Sequence, residues 1–206
     1  MFRTQNVICM TNRALCSNFL QRIEEIAAQR PSGIILREKD MSETNYRKLA
    51  AQVMEICKTY TVPCILHSFP DTAAVLDAIG LHLPMPLLRS LPLEQRVRFF
   101  ILGASVHSVE EAVMAEEYGC KYLTAGHIFA TDCKKGVSPR GLDFLHDVCA
   151  HVQIPVYAIG GIDSSNFTSI MDAGAAGACI MSGLMQCEDV PDYMGKLRKL
   201  RNQYET

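Results

Sequence analysis

Short apolar runs alternate with longer stretches of helical period along this chain of 206 residues, the pattern expected of repeated β-α units that build a parallel sheet. Eight runs predict strands: Val7–Thr11, Gly33–Leu36, Cys64–His67, Gly80–Leu83, Phe99–Ser105, Tyr122–Gly126, Val156–Ile159 and Ala178–Met181. They are apolar throughout rather than alternating, as strands covered on both faces should be. Helical period fills the gaps at roughly Ser17–Ala28, Ser42–Thr59, Asp71–Ala78, Ser108–Tyr118, Pro139–His151, Ser164–Ala173 and Asp189–Gln203. Ser42 with Asn45, Ser108 with Glu111 and Ser164 ahead of Asn166 each set a capping hydroxyl before a first turn. Gly80, Gly119 and Gly174 stand at helix-to-strand joints, where a positive φ is wanted. The fourth unit is weak, because Pro84, Pro86 and Pro92 leave only Leu93–Arg98 for a helix. Eight strands, eight crossovers and no break in composition predict one α/β domain over residues 1–206, a single (β/α)8 TIM barrel. An open doubly wound sheet would need a switch point that the sequence does not offer.

Composition narrows the class of partner. Hydrophobic residues make up 49% of the chain and aromatics 7%, so the core is built from aliphatics, alanine and methionine. Twenty basic residues against twenty-two acidic ones argue against a nucleic-acid surface or an anionic-membrane surface, and point to a small-molecule partner. No apolar run is long enough to span a bilayer and no arginine-led leader precedes the first strand, which predicts a cytoplasmic protein. The nine cysteines include no C-x-x-C pair, so zinc-ribbon and thioredoxin readings fail, and they read as small buried hydrophobes in a reducing compartment.

In such a barrel the chemistry sits where strands run into the following helices. His67, His82, His107 and His127 all fall there, although a histidine closing an apolar strand is as readily a structural group with a satisfied ring. After the second strand comes Leu36-Arg37-Glu38-Lys39-Asp40. Arg37 and Lys39 lie two apart on extended backbone, so both can face the barrel axis and an anion there; the alternative is a solvated loop paired within itself. Gly160-Gly161 follows the seventh strand and Met181-Ser182-Gly183 the eighth, the two places where barrels of this class bind phosphate on backbone N–H groups. The sixth strand ends in Gly126-His127-Ile128-Phe129-Ala130-Thr131-Asp132-Cys133-Lys134-Lys135-Gly136, a loop that joins an acid/base, a hydroxyl and two lysines. Cys133 has no sequence signature of an activating partner and reads as a loop thiol. A metal hydrolase built on these histidines would need an H-x-H or a neighbouring carboxylate, and neither is present.

Taken together, LREKD (Leu36–Asp40), ASVHSVEEA (Ala104–Ala112), AIGGI (Ala158–Ile162) and MSG (Met181–Gly183) resemble the thiamin phosphate synthase superfamily from Val7 to about Met185. The synthase branch couples a pyrimidine diphosphate to a thiazole phosphate with magnesium. Its pattern has a glutamine just before LREK, Asn-Asp after strand three and Gly-Gln-x-Asp after strand four. Here Ile35, His67-Ser68 and Pro84-Met85-Pro86-Leu87 stand in those places, so oxygen ligands for a magnesium–diphosphate complex are missing from them. The loop GHIFATDCKKG is similar instead to the thiazole tautomerases of the TenI type.

That resemblance implies an isomerase without metal or cofactor, acting on a small phosphorylated thiazole: the carboxylated dihydrothiazole phosphate becomes the aromatic carboxythiazole phosphate of thiamin biosynthesis. It implies His127 as acid/base, Arg37 and Lys39 facing the carboxylate or the polyanion generally, and Ser105 lining the ring site. Thr131, Cys133 and Lys134 would add contacts from the sixth-strand loop, and the phosphate would rest on Gly161, Met181 and Ser182. A homodimer is implied as well. The alternatives are a thiamin phosphate synthase and a non-catalytic, thiazole phosphate-binding regulatory protein.

Overall fold

In a computed structural model that describes residues 6–134 and 136–204, eight parallel strands close in sequence order, β8 returning to pair with β1. They are β1 (Val7–Met10), β2 (Gly33–Leu36), β3 (Cys64–His67), β4 (Gly80–Pro84), β5 (Ile101–Val106), β6 (Tyr122–Gly126), β7 (Val156–Ile159) and β8 (Gly177–Ile180). Helices occupy every crossover, so the chain folds as a (β/α)8 TIM barrel. Lys135, the second lysine of the sixth-strand loop, lies outside the described residues.

The period-2 geometry of each strand divides its side chains between two environments. Outward residues such as Ile34, Leu66, Leu81, Ala104, Leu123, Ala158 and Ala178 pack against the helices in one continuous core. Inward residues form a second, smaller core of Ile8, Met10, Ile35, Ile65, Ile101, Tyr122, Tyr157 and Cys179. Room for Tyr122 comes from β5: any Cβ on Gly103 would overlap the Tyr122 ring. Five of the cysteines (Cys9, Cys57, Cys64, Cys120 and Cys179) are buried as expected, Cys16, Cys149 and Cys187 are half-buried, and Cys133 is exposed.

The helices α1 (Phe19–Ala28), α2 (Glu43–Thr59), α3 (Pro70–Val75), α6 (Val109–Glu117), α7 (Gly141–His151), α8 (Phe167–Asp172) and α10 (Val190–Arg201) follow the expected order. The Ser42 and Ser108 hydroxyls accept from the Asn45 and Glu111 N–H groups as caps. Ser164 does not cap α8. The Asp163 carboxylate accepts from Ser165 and the Asn166 amide oxygen accepts from Asp163, so a side-chain turn occupies that corner and Asn166 takes the N-cap position. Gly119 and Gly174 have positive φ, whereas Gly80 does not; Asp77 takes the left-handed conformation at that joint, and Gly80 is small because a Cβ would come within 2.9 Å of Ile65. The fourth unit also departs from expectation. Helix α4 (Met85–Ser90) starts directly after β4, ahead of the short α5 (Leu93–Arg96). Pro84 and Pro86 fall at its cap and first turn, where a missing N–H costs nothing. An additional short helix, α9 (Ser182–Gln186), follows β8.

Toward the carboxyl ends the barrel interior turns polar. His82 is fully buried with both ring nitrogens bonded, Nδ1 to the Tyr122 hydroxyl at 2.8 Å and Nε2 to the Ser105 hydroxyl at 2.8 Å. Burial pushes its pKa down to about 3, so the ring is neutral at working pH. The unfolded chain takes up this proton near the ordinary value of about 6.5, and the folded one does not until about 3. Stability is therefore fully present above about 6.5 and falls as pH drops toward 3, by roughly 1.4 kcal/mol per pH unit for this group. Between about pH 6 and 4, His82→Gln is expected to reduce the pH slope of the urea-unfolding free energy by about that amount.

Candidate active site

The strand ends open onto a cavity of about 190 Å³. Its charge originates in the alternation at the end of β2. Arg37 and Lys39 line the cavity, while Glu38 between them points away, 2% exposed, and is neutralised behind the wall. The Thr11 hydroxyl donates to Glu38 at 2.7 Å, the Arg13 N–H donates to both carboxylate oxygens at 3.1 and 3.0 Å, and the Thr11 oxygen also accepts the Arg37 N–H at 2.9 Å. Asp40, the last charge of the run, is drawn outward by the Arg13 guanidinium at 2.6 and 2.7 Å. The loop is thus paired and anion-facing at once: its carboxylates are satisfied by Thr11 and Arg13, and its cations are left to the cavity. Lys134 joins them from the sixth-strand loop. Partial burial, and then the like charges of Arg37 and Lys134, hold the Lys39 ammonium below its ordinary pKa.

His127 follows β6 through a cis peptide from Gly126. Its backbone is fixed from two sides: the Arg140 N–H donates to the His127 carbonyl at 2.9 Å, and the next residue's N–H donates to the Ile159 carbonyl at 2.9 Å. Gly160 has φ +101, and any Cβ on it would overlap the His127 Cβ. Glycine at this position therefore admits the histidine as well as shaping the loop after β7. The imidazole is 8% exposed and lines the cavity, with Nε2 at 3.2 Å from the Val137 carbonyl. A carbonyl only accepts, so in the neutral ring Nε2 carries the proton and Nδ1 keeps the lone pair.

The ten residues to which the resemblance gives a role all line this one cavity: Arg37, Lys39, Ser105, His127, Thr131, Cys133, Lys134, Gly161, Met181 and Ser182. Sequence reasoning gave no role to Thr124, whose hydroxyl donates to Ser105 at 3.1 Å; its place two residues after the inward Tyr122 is the signal that would have found it. His67 and His107 also reach the cavity. His107 Nδ1–H donates to the Gly126 carbonyl at 2.7 Å, bracing the residue before His127. His67 is pushed down to about 2 by burial, then by His82, Arg37 and Lys39. Of the four strand-end histidines, His67 and His82 are thus held neutral by their surroundings.

The magnesium of the synthase branch would need hard oxygen ligands, carboxylates above all. Among the described residues the lining offers three cations and a few hydroxyls but no aspartate or glutamate, and no three of His, Cys, Asp and Glu converge as a metal site. This donor set does not fit a magnesium–diphosphate complex. No helix among the described residues is long and apolar enough to cross a membrane.

Over residues 7–184 the chain matches the family described as thiamine monophosphate synthase, TMP-TENI. It is 35% identical over 201 residues to thiamine-phosphate synthase 2 of Streptococcus pneumoniae, with 94% of each chain covered. To the thiamine-phosphate synthase of Syntrophomonas wolfei it is 33% identical over 204 residues, covering 95% of this chain and 94% of the other. Thiamine phosphate pyrophosphorylase from Pyrococcus furiosus superposes with a TM-score of 0.83 at 29% identity, over 97% of this chain and 96% of that one. These relatives bear the synthase name; the likeness reaches the family that both branches share and does not choose the tautomerase branch. On the match across residues 7–184 and the near full-length identity to these relatives, the chain belongs to the thiamine monophosphate synthase family.

Proposed function

We propose that this chain is the thiazole tautomerase of its family, isomerising the carboxylated dihydrothiazole phosphate to 2-(2-carboxy-4-methylthiazol-5-yl)ethyl phosphate. One observation carries the reading: an imidazole opens on a cavity whose described lining holds three cations and no carboxylate. Such a site suits a small polyanion and a proton transfer, and is ill suited to metal-assisted loss of diphosphate.

In the proposed reaction His127 Nδ1 takes the proton from ring carbon C2. The C2–H pair forms C2=N3, the N3=C4 pair moves to C4=C5, and the exocyclic C=C pair receives the proton back from the imidazolium. One C–H bond breaks and one forms, with no oxidant or reductant, and aromaticity drives the balance to product. The Val137 carbonyl at 3.2 Å from Nε2 orients the ring and favours the imidazolium while it exists. Arg37 and Lys39 would meet the carboxylate, Ser105 the ring, and Thr131, Cys133 and Lys134 would close the site from the sixth-strand loop. The phosphate would sit on Gly161, Met181 and Ser182, where the Ser182 hydroxyl and first-turn N–H groups supply donors.

A synthase activity is the second reading, favoured by the full-length identity to proteins named thiamine-phosphate synthase. A homodimer is also proposed. Val97 and Phe100, 72% and 63% exposed, are apolar side chains open to solvent near α5 and β5, as are Val75, Ile79 and Leu93 on α3, α5 and the approach to β4, and a second copy would cover them.

His127→Asn is expected to cut turnover of the dihydrothiazole by about 10²–10⁴-fold while product affinity stays nearly unchanged, as removal of a general acid/base does; turnover equal to the parent protein sinks the assignment. Incubation with hydroxymethylpyrimidine diphosphate, thiazole phosphate and magnesium is expected to yield no thiamin phosphate, and its appearance selects the synthase. Product binding without turnover of either substrate would select the regulatory protein. Sedimentation is expected to return twice the mass of one chain, reduced to one chain by Val97→Lys combined with Phe100→Lys; a parent protein of single-chain mass removes the dimer.

A further inference from the structure

The position after β3 holds His67-Ser68 where the synthase pattern carries Asn-Asp, and the role proposed for His127 leaves it unused. In the closed ring β3 stands four strands from β7, so His67 faces the cavity from the wall across from the Gly160-Gly161 loop. It is rigidly mounted. The His67 N–H donates to the Tyr46 hydroxyl at 2.9 Å, and that hydroxyl donates to the Leu36 carbonyl at 2.7 Å, which ties the end of β3 to the residue before Arg37. The ring stacks on His82 with centroids 5.5 Å apart. Its Nδ1 lies 2.6 Å from the Ser68 hydroxyl, and Ser68, at φ +67, is itself held by its N–H on the His82 carbonyl at 3.1 Å.

We infer that His67 is a specificity-determining residue, whose Nε2–H, with Ser68 holding Nδ1, binds a carboxylate of the ligand beside Arg37 and Lys39, at the wall opposite the phosphate loops. A serine hydroxyl can donate to Nδ1, and the neutral ring then carries its proton on Nε2. Nε2 has no partner among the described residues, and the cations beside it bring an anion to that wall. An anion there selects this tautomer, because the other would aim a lone pair at it. Burial and neighbouring charge keep the ring uncharged, so His67 acts as a neutral donor and is no second acid for the proton transfer. Arg37 and Lys39 attract either anionic end of a ligand; His67, the donor farthest round the ring from β7 and β8, separates a ligand with two anionic ends from one with a phosphate alone.

This inference rests on the thiazole phosphate reading, and the test uses binding rather than turnover so that the two can fail separately. Calorimetric titration compares thiazole phosphate carrying the C2 carboxylate with the same compound lacking it. The parent protein is expected to prefer the carboxylated ligand by at least about tenfold. His67→Phe is expected to reduce that preference by about tenfold with affinity for the other ligand unchanged, and His67→Asn, which keeps an N–H donor, to restore part of it. Ser68→Ala, which spares the ring but releases its tautomer, is expected to give an intermediate preference; it decides the matter should the phenylalanine disturb the barrel. An unaltered preference in both His67→Phe and Ser68→Ala, or equal weakening of both ligands, overturns the role of His67. Equal affinity of the parent protein for the two ligands overturns it too, while leaving the thiazole phosphate reading intact; no binding of either defeats both.

Discussion

The site depends on keeping one carboxylate out of it. Four charges succeed one another after β2, and an extended backbone sends alternate side chains to opposite sides. Arg37 and Lys39 go inward, and Glu38 goes outward. Such a buried anion is tolerable only because the Thr11 hydroxyl and the Arg13 N–H and guanidinium satisfy it. Were Glu38 to face the cavity, it would neutralise the cations that distinguish this pocket. The first crossover thus serves the second strand, and the positive field of the cavity follows from how the loop after β1 is folded.

Much of this was legible in the sequence. The eight strands are short, apolar on both faces and separated by helical period, and all eight form within a residue or two of where the pattern predicts them. The cavity residues were legible for the same reason, since strand ends in a closed parallel barrel converge whatever the details of the loops. What escaped is set by contacts between distant segments. Helix α4 escapes the sequence because prolines that break a helix interior sit here at its cap and first turn. Gly80 stands where a left-handed joint is expected, yet its smallness answers to Ile65 across the neighbouring strand. Ser164 lost its cap to the competing turn made by Asp163 and Asn166.

The histidines show the same limit more sharply. Four of them at strand ends look alike along the chain, yet their surroundings assign them different chemistry. His82 is consumed by Tyr122 and Ser105, a bond pattern that exists only because Gly103 lets the tyrosine ring lie across β5. His107 spends a ring nitrogen on the Gly126 carbonyl. His67 is held neutral by burial first, and then by the stacked His82 ring and two neighbouring cations. His127 rests Nε2 on the Val137 carbonyl and keeps Nδ1 unbonded among the described residues.

The loops after β6 and β7 are not independent parts. The Phe129 N–H donates to the Gly160 carbonyl, Gly160 has no side chain because His127 occupies that space, and Gly161 has none because the Ala130 carbonyl does. His127 and the glycines beside it are therefore cast as a single piece, and the spacing between them cannot be tuned by changing one loop alone. Divergence within this barrel has to replace the pair in concert or leave it untouched, which makes the strands on the far side, β2 to β4, the ones free to adapt the fold to a new ligand.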